Sequence, residues 1–244
     1  MQFTTPTTIK DVAWQGYLES EWIQQIGSDG GYSGPDSMGR PVPKVKITIG
    51  KPAWWLAEKV MTDKSETKWL PPNDERTYYL VRLAYTLHPL KDQNTHYKYA
   101  ALDVFMWPRG VSGTVVAHDI FPQSLTTDDS KSFKISLKPN LKFTGIIEAQ
   151  ALEAGADINY HKVFPIIQGY GLGESNISWG FVNHPAHPLQ GCQCVYGILD
   201  SPKNSNGIRL HIILTVTVEN RLGPFRLGLP EDIKTSLRFM VIGN

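Results

Sequence analysis

A strict alternation of apolar and polar side chains runs through the C-terminal two thirds of the chain. Its clearest stretch places Ile208, Leu210, Ile212, Leu214, Val216 and Val218 between Arg209, His211, Ile213, Thr215, Thr217 and Glu219. Successive side chains of a β-strand point to opposite faces, so a half-buried strand requires this period of two. Shorter stretches at 79–87, 102–107 and 133–137 repeat the pattern. We therefore predict an all-β chain.

Turn-forming residues separate the alternating runs. The separators are Trp107-Pro108-Arg109-Gly110, Lys138-Pro139-Asn140 and the segment from Ser201 to Gly207. Glycine (21) and proline (17) together make up about 16% of the chain, against a usual share of about 12%. Short strands with regular turns are typical of two packed antiparallel sheets. We predict an antiparallel β-sandwich, jelly-roll or Ig-like, over residues 77–244.

Residues 1–76 differ from the rest of the chain in composition and pattern, and they hold five of the 7 tryptophans. Val12 to Ile26 places Trp14, Leu18, Trp22 and Ile26 at a spacing of four, which predicts a helix that ends at Gly27. Residues 44–49 alternate as a short strand. Pro52 to Val60 predicts a second helix with proline in its first turn. The expectation is a Trp-rich, partly helical N-terminal segment that packs on the main domain.

The net charge, the hydropathy of the chain and its N-terminus bear on which partners and which cellular location we expect. With 24 Lys+Arg against 23 Asp+Glu, the net charge is +1, which disfavours a duplex nucleic-acid partner because such domains are usually strongly basic. No uncharged apolar run approaches the length of a membrane-spanning helix, so no transmembrane segment is expected. The N-terminus shows no secretory leader pattern and the two cysteines are close neighbours. We therefore expect a cytoplasmic protein.

Four potential metal ligands fall within eleven residues: His184, His187, Cys192 and Cys194, spaced H-x2-H-x4-C-x-C. Zinc takes His nitrogen and Cys sulfur, although this spacing matches no common finger. The other interpretation is a solvated His-Pro loop followed by two small buried side chains. No cofactor is expected otherwise, and zinc is the ion that these residues could hold.

The position of the two cysteines depends on the register of the strands around them. If residues 191–199 pair with 208–219 and Leu199 lies opposite Ile208, both cysteines share a face with His211, which becomes a diagonal neighbour of Cys194. A register slip of one residue moves the cysteines to the core face instead.

Catalytic residues are not predicted. His88, His96, His118 and His161 lie in separate segments, and no nucleophile motif lies between a strand and a helix. A catalytic set that is assembled only in space stays open, so the enzyme question is undecided, with the balance against an enzyme.

Aromatic residues make up 11% of the chain and suggest a binding role. Trp54 and Trp55 are adjacent, so we do not expect both to be buried. Trp107 lies beside a turn with Arg109. Tryptophan, tyrosine and arginine dominate binding hot spots. The alternative is that these rings fill the core.

Together these observations predict a non-enzymatic β-sandwich protein. It would bind a protein partner, or further copies of itself, as an accessory or assembly subunit. Three other functions remain open from the sequence: a carbohydrate-binding module on the same aromatic side chains, a zinc-dependent enzyme or zinc-stabilised subunit, and a viral structural protein.

Overall fold

The structure is a computed structural model, and it describes residues 11–20, 42–60, 70–127, 133–135, 164–185, 188–221 and 223–241. Within these residues the chain forms β-strands and two short helices. The strands are β1 Val12–Tyr17, β2 Glu19–Ser20, β3 Lys46–Gly50, β4 Ala53–Leu56, β5 Arg76–Leu87, β6 His96–Pro108, β7 Val116–Phe121, β8 Ser124–Thr127, β9 Phe133–Ile135, β10 Phe164–Tyr170, β11 Asn176–Val182, β12 Gly191–Pro202, β13 Ile208–Asn220, β14 Gly223–Gly228 and β15 Arg238–Val241. The helices are α1 Ala57–Val60 and α2 Glu231–Ser236.

The described strands form two antiparallel sheets. The six-stranded sheet has the order β1-β3-β5-β12-β7, and β4 also pairs with β5. The nine-stranded sheet has the order β2-β14-β13-β6-β11-β10-β8-β9, and β15 also pairs with β13. The prediction of an all-β chain is confirmed.

The inner faces of the two sheets share one hydrophobic core. Every even-numbered residue of β13 from Ile208 to Val218 is buried in it, as the alternation predicted. Tyr85 of the six-stranded sheet meets Phe181 of the nine-stranded sheet edge to face, with ring centroids 5.4 Å apart. Trp179 is fully buried, and its indole Nε1 donates a hydrogen bond to the carbonyl oxygen of Pro122 at 3.2 Å.

Strand β5 is buried on both faces, which the alternation alone did not indicate. Its inward side chains join the main core. Two of its outward residues, Tyr78 and Leu80, belong to a second apolar cluster, the outer cluster, whose other members are Ala57, Phe121, Tyr196 and Ile198. Trp55, Val60 and Cys194 pack against this cluster. Helix α1 therefore covers part of the outer face of the six-stranded sheet.

Two predicted helices are corrected over the described residues. Residues 12–17 form strand β1, which pairs with β3, and Glu19–Ser20 form β2. A spacing of four suits either structure because four is a multiple of two, and pairing with β3 decides for a strand. Pro52 lies between strands β3 and β4, and helix begins only at Ala57. Both β3 and β4 pair with the same edge of β5, one after the other.

The predicted pairing of residues 191–199 with 208–219 is wrong. Strand β12 pairs with β5 and β7, whereas β13 pairs with β6, β14 and β15. The turn at 203–207 therefore carries the chain from one sheet to the other. His211 and the cysteines lie on different sheets as a result. Among the described residues, no helix has the length and apolar character needed to cross a membrane.

Candidate functional site

The outer face of the nine-stranded sheet is formed largely by alternate residues of β6. Ala100, Leu102, Val104 and Met106 point inward and are buried. Between them Ala101, Asp103, Phe105 and Trp107 point outward, each opposite an outward residue of β13. Tyr99 continues the same outward row, opposite Thr217, and the register irregularity lies just before it, so that Tyr97 joins the core instead. The alternation of one central strand thus builds a row about 26 Å long.

Exposed apolar side chains concentrate on this face. Tyr99, Trp107, Tyr170 and Val182 are 38%, 47%, 53% and 42% exposed, and they are half of the eight large hydrophobic residues exposed in the described part of the chain. We define the aromatic face by five residues: Tyr99, Phe105, Trp107, Tyr170 and Val182. Large side chains placed in this way on one surface are typical of a binding site.

Strand register brings these residues together from three strands. Val182 of β11 lies opposite Tyr99 of β6. Tyr170 of β10 lies opposite Ser178, which in turn lies opposite Asp103. The buried neighbours of these residues, Trp179 above all, hold β11 against the core and fix the position of the outward side chains.

At one end of the aromatic face three rings follow one another. Phe105 and Trp107 are stacked, with ring centroids 6.4 Å apart and an interplanar angle of 17°. On its other side Phe105 meets the His211 imidazole at 6.1 Å. The Nε2 atom of His211 is buried and has no hydrogen-bond partner within the described residues. Packing among these rings restricts the rotamer of Trp107, so little entropy remains to be lost on binding.

At the other end Tyr99 lies over Gly180. A Cβ atom on Gly180 would come within 2.5 Å of the Tyr99 hydroxyl oxygen, so the glycine lets the phenol ring lie against the sheet. Burial raises the pKa of Tyr99, as do the neighbouring Tyr170 and Asp103, while Arg226 opposes them. Tyr99 is therefore a neutral hydroxyl near pH 7, able to donate or accept a hydrogen bond.

Charged groups lie between and around the rings. Arg209 is exposed opposite Trp107, Asp103 lies between the two ends, and Arg226 lies opposite Thr217 near Tyr99. Aromatic side chains surrounded by separated charges can bind a partner tightly at the centre and orient it at the rim.

Of the predicted binding residues, Trp107 lies on the aromatic face and Arg109 follows it in the turn. That turn is tied to the turn at 206–207, because the Arg109 N–H donates to Gly207 O and the Asn206 N–H donates to Arg109 O, both at 2.9 Å.

Trp54 and Trp55 lie elsewhere, on β4. Each is half-buried: Trp54 meets the Tyr79 ring edge to face at 5.8 Å, and Trp55 packs on the outer cluster. Adjacent side chains thus contact two different hydrophobic clusters. Their role in binding stays a prediction.

The predicted zinc ligands are only partly within the described residues. His187 lies outside them, and His184 is half-buried just after β11. Cys192 and Cys194 share one face of β12, with their sulfur atoms 3.8 Å apart. No group of three or more His, Cys, Asp or Glu side chains with metal-binding geometry is present in the described part of the chain. His211 lies on the other sheet and is not a neighbour of these thiols.

A cavity of about 310 Å³ lies beside strand β3 and the loop that follows β5. Lys44, Lys46 and Lys91 line it, together with Tyr17, and among the described lining residues the one carboxylate belongs to Asp92. That carboxylate already accepts hydrogen bonds from the Asn94 N–H and the Thr95 hydroxyl, which lower its pKa. Three ammonium groups beside an exposed phenol ring can hold a small anion.

Sequence reasoning missed Tyr99, Tyr170 and Val182. The alternation of β6 places Phe105 and Trp107 on one side, and that signal is visible in the sequence. The other residues join them only through the register of β6 with β11 and of β11 with β10. No local pattern specifies that register.

No protein-family model and no curated protein matches the chain. Among solved structures it is similar to the Clostridium perfringens NetB toxin in its membrane-inserted form, with a TM-score of 0.31 and 10% identity over 93% of this chain and 91% of that chain. Clostridium perfringens delta-toxin gives a TM-score of 0.29 with 8% identity over 79% and 88% of the two chains. A structure described as "Pore forming protein" gives 0.30 with 7% identity over 91% of each. Likenesses at these scores support no conclusion about this chain.

Proposed function

We propose that the chain is a non-enzymatic β-sandwich protein that binds a protein partner through the aromatic face. One observation carries the proposal: four exposed large hydrophobic side chains from three strands share the outer surface of one sheet. The proposed role is that of an accessory or assembly subunit.

Trp107 has the exposure expected of a hot-spot residue. Nearly half of it, 47%, is accessible in the isolated chain. Burying about 100 Å² of indole at about 25 cal/mol/Å² contributes about 2–3 kcal/mol, which is the range of a hot-spot residue. Phe105 already holds the ring in place, so this gain is not offset by a large loss of rotamer entropy.

The face suits a protein better than a sugar chain. Tyr99 lies over Gly180 at one end of the aromatic face, and Trp107 stacks beside Phe105 at the other. The distance between these two residues, about 26 Å along β6, is the length of a protein interface rather than of one or two sugar rings. Asp103, Arg209 and Arg226 supply charges of both signs for orientation.

The test compares quantitative partner capture by three versions of the purified protein. Trp107→Ala removes the ring, and Tyr17→Ala removes a side chain of comparable exposure from the edge of the six-stranded sheet. We expect Trp107→Ala to weaken capture about 30- to 150-fold, while Tyr17→Ala binds like the parent. Equal capture by all three would overturn the proposal.

A glycan array distinguishes protein binding from the second candidate function, carbohydrate binding. If the parent binds a glycan and Trp107→Ala does not, the aromatic face is a carbohydrate platform and the protein-partner proposal fails. Sedimentation velocity on the purified protein then separates two kinds of protein partner, because association with a second copy increases with concentration in the absence of any other protein.

A further inference from the structure

The two cysteines of the chain form a pair with unequal surroundings. Cys192 and Cys194 project from the same face of β12, and their sulfur atoms are 3.8 Å apart. Cys192 is exposed to solvent. Cys194 is half-buried and packs against the outer cluster. A reagent in solution therefore reaches the Cys192 sulfur first.

Polar neighbours favour the thiolate at Cys192. The Cys194 thiol and the Thr86 hydroxyl both donate hydrogen bonds to its sulfur, and Arg82 adds a positive charge. These contacts, the Cys194 hydrogen bond foremost, lower the pKa of Cys192 to about 6. The same hydrogen bond, together with burial, raises the pKa of Cys194. The charge therefore resides on the exposed sulfur and the proton on the inner one.

Among the described strands, β12 has a neighbour on one side only at this point. Residues 191–195 pair with β5, whereas pairing with β7 begins at Tyr196. Gly191 directly precedes the first cysteine with a φ of 84°, and no atom of the described residues lies within 4 Å of the place where its Cβ would be. Within the described residues, this end of β12 has room both for an approaching reagent and for a local backbone adjustment.

A disulfide between the two sulfurs is within reach but strained. Residues two apart on a strand have Cα atoms about 6.7 Å apart, at the upper end of the range for disulfides, and the sulfurs must close to about 2.05 Å. Strained, exposed disulfides have more oxidising potentials and are reduced easily. The described residues also supply no third ligand that would turn the pair into a closed metal site.

We propose that Cys192 and Cys194 form a reversible dithiol–disulfide site that reacts with low-molecular-weight disulfides, with Cys192 as the attacking sulfur and Cys194 as the resolving one. The Cys192 thiolate attacks one sulfur of the small disulfide RS–SR, whose S–S bond breaks and releases RS⁻. Cys194 then attacks the Cys192 sulfur of the mixed disulfide, expels a second RS⁻ and gives up its proton. Two electrons pass from the protein to the small disulfide, which leaves as two thiols.

Intact-mass spectrometry of the folded protein treated with glutathione disulfide tests the order of the two steps. We expect the parent to become about 2 Da lighter, because Cys194 resolves the adduct. Cys194→Ala is expected to stop at one glutathione adduct of about 305 Da. Cys192→Ala is expected to react more slowly than Cys194→Ala at the same pH, because the sulfur it retains is half-buried whereas that of Cys192 is exposed.

The same variants in strong denaturant provide the matched control. There the neighbours of both sulfurs are lost, so the two single-cysteine variants should react at equal rates. The proposal is overturned if the folded parent accumulates the glutathione adduct instead of the disulfide. It is also overturned if the folded Cys192→Ala variant reacts as fast as Cys194→Ala.

Discussion

The pH dependence of Cys192 reactivity provides a sharp test of the interactions around its sulfur. The perturbation is Cys194→Ala, which removes the S–H···S hydrogen bond that contributes most to the lowered pKa of Cys192. The assay is the initial rate of reaction with a chromogenic aromatic disulfide, followed from about pH 5 to pH 10. Because the pKa of Cys192 is lowered, its thiolate should persist as the pH falls, until the pH passes below about 6.

The expected rates follow from the thiolate fraction and the nucleophilicity of the sulfur. Between an ordinary pKa of 9.0 and one of about 6, the thiolate fraction near pH 5 rises about 1,000-fold, while intrinsic nucleophilicity falls about 20-fold at a Brønsted coefficient of about 0.45. The upper limit of the net gain is therefore about 40-fold near pH 5 and about 4-fold near pH 7. The sign reverses near pH 8, and at about pH 9 the thiol with the lower pKa reacts about tenfold more slowly.

The parent is thus expected to show an inflection near pH 6, and Cys194→Ala an inflection shifted toward 9. Thr86 and Arg82 remain in the variant, so its shift should be incomplete. A parent profile with its inflection near 9, identical to that of the variant and of the denatured chain, would refute the reasoning.

Three further predictions concern other parts of the molecule. The Tyr85 hydroxyl is buried without a partner in the described structure, so Tyr85→Phe should raise the free energy of unfolding by about 1 kcal/mol. Tyr97→Phe removes a hydrogen bond to a backbone carbonyl and should lower that free energy by about as much. Denaturant unfolding measures both changes. Gly180→Ala should displace the ring of Tyr99 and weaken partner binding about tenfold while the melting temperature changes little, because the colliding atom is the far end of a side chain. Millimolar inorganic phosphate should stabilise the parent against thermal unfolding by about 1 kcal/mol by binding in the cavity lined by Lys44, Lys46 and Lys91. Lys46→Glu should abolish this stabilisation.

Each of these predictions has a clear contrary result. Equal losses of stability in the two tyrosine variants would mean that the Tyr85 hydroxyl is hydrogen-bonded. Unchanged partner binding by Gly180→Ala would show that the position of Tyr99 is irrelevant to recognition. Equal stabilisation of the parent and Lys46→Glu by phosphate would identify a general salt effect instead of a site.

The strands of the C-terminal part were predictable because their alternation is enforced by burial on one face. Strand β13 is the clearest example, since all its inward residues are large and aliphatic. The N-terminal strands were not predictable in the same way. The spacing of Trp14 and Leu18 fits a helix and a strand equally well, and only pairing with β3 selects the strand.

Pairing between distant strands also limited what could be predicted of the site. The sequence placed Trp107 on a solvent-facing row, but Tyr170 and Val182 reach that row through two strand registers that no local pattern encodes. For the same reason the predicted proximity of His211 to Cys194 was wrong: β12 and β13 follow each other in the chain but belong to different sheets. The proximity of the two cysteines was predictable, because residues two apart on a strand always share a face.

Site-specific photo-crosslinking tests the proposed binding face most directly. A photoreactive amino acid at position 182 lies on the aromatic face, and one at position 17 lies at the edge of the six-stranded sheet with similar exposure. In the cells that produce the protein, position 182 should give a discrete protein adduct that disappears when Trp107→Ala is added, and position 17 should give none. An adduct at position 182 that persists with Trp107→Ala, or the same adduct from both positions, would contradict a binding role for the aromatic face.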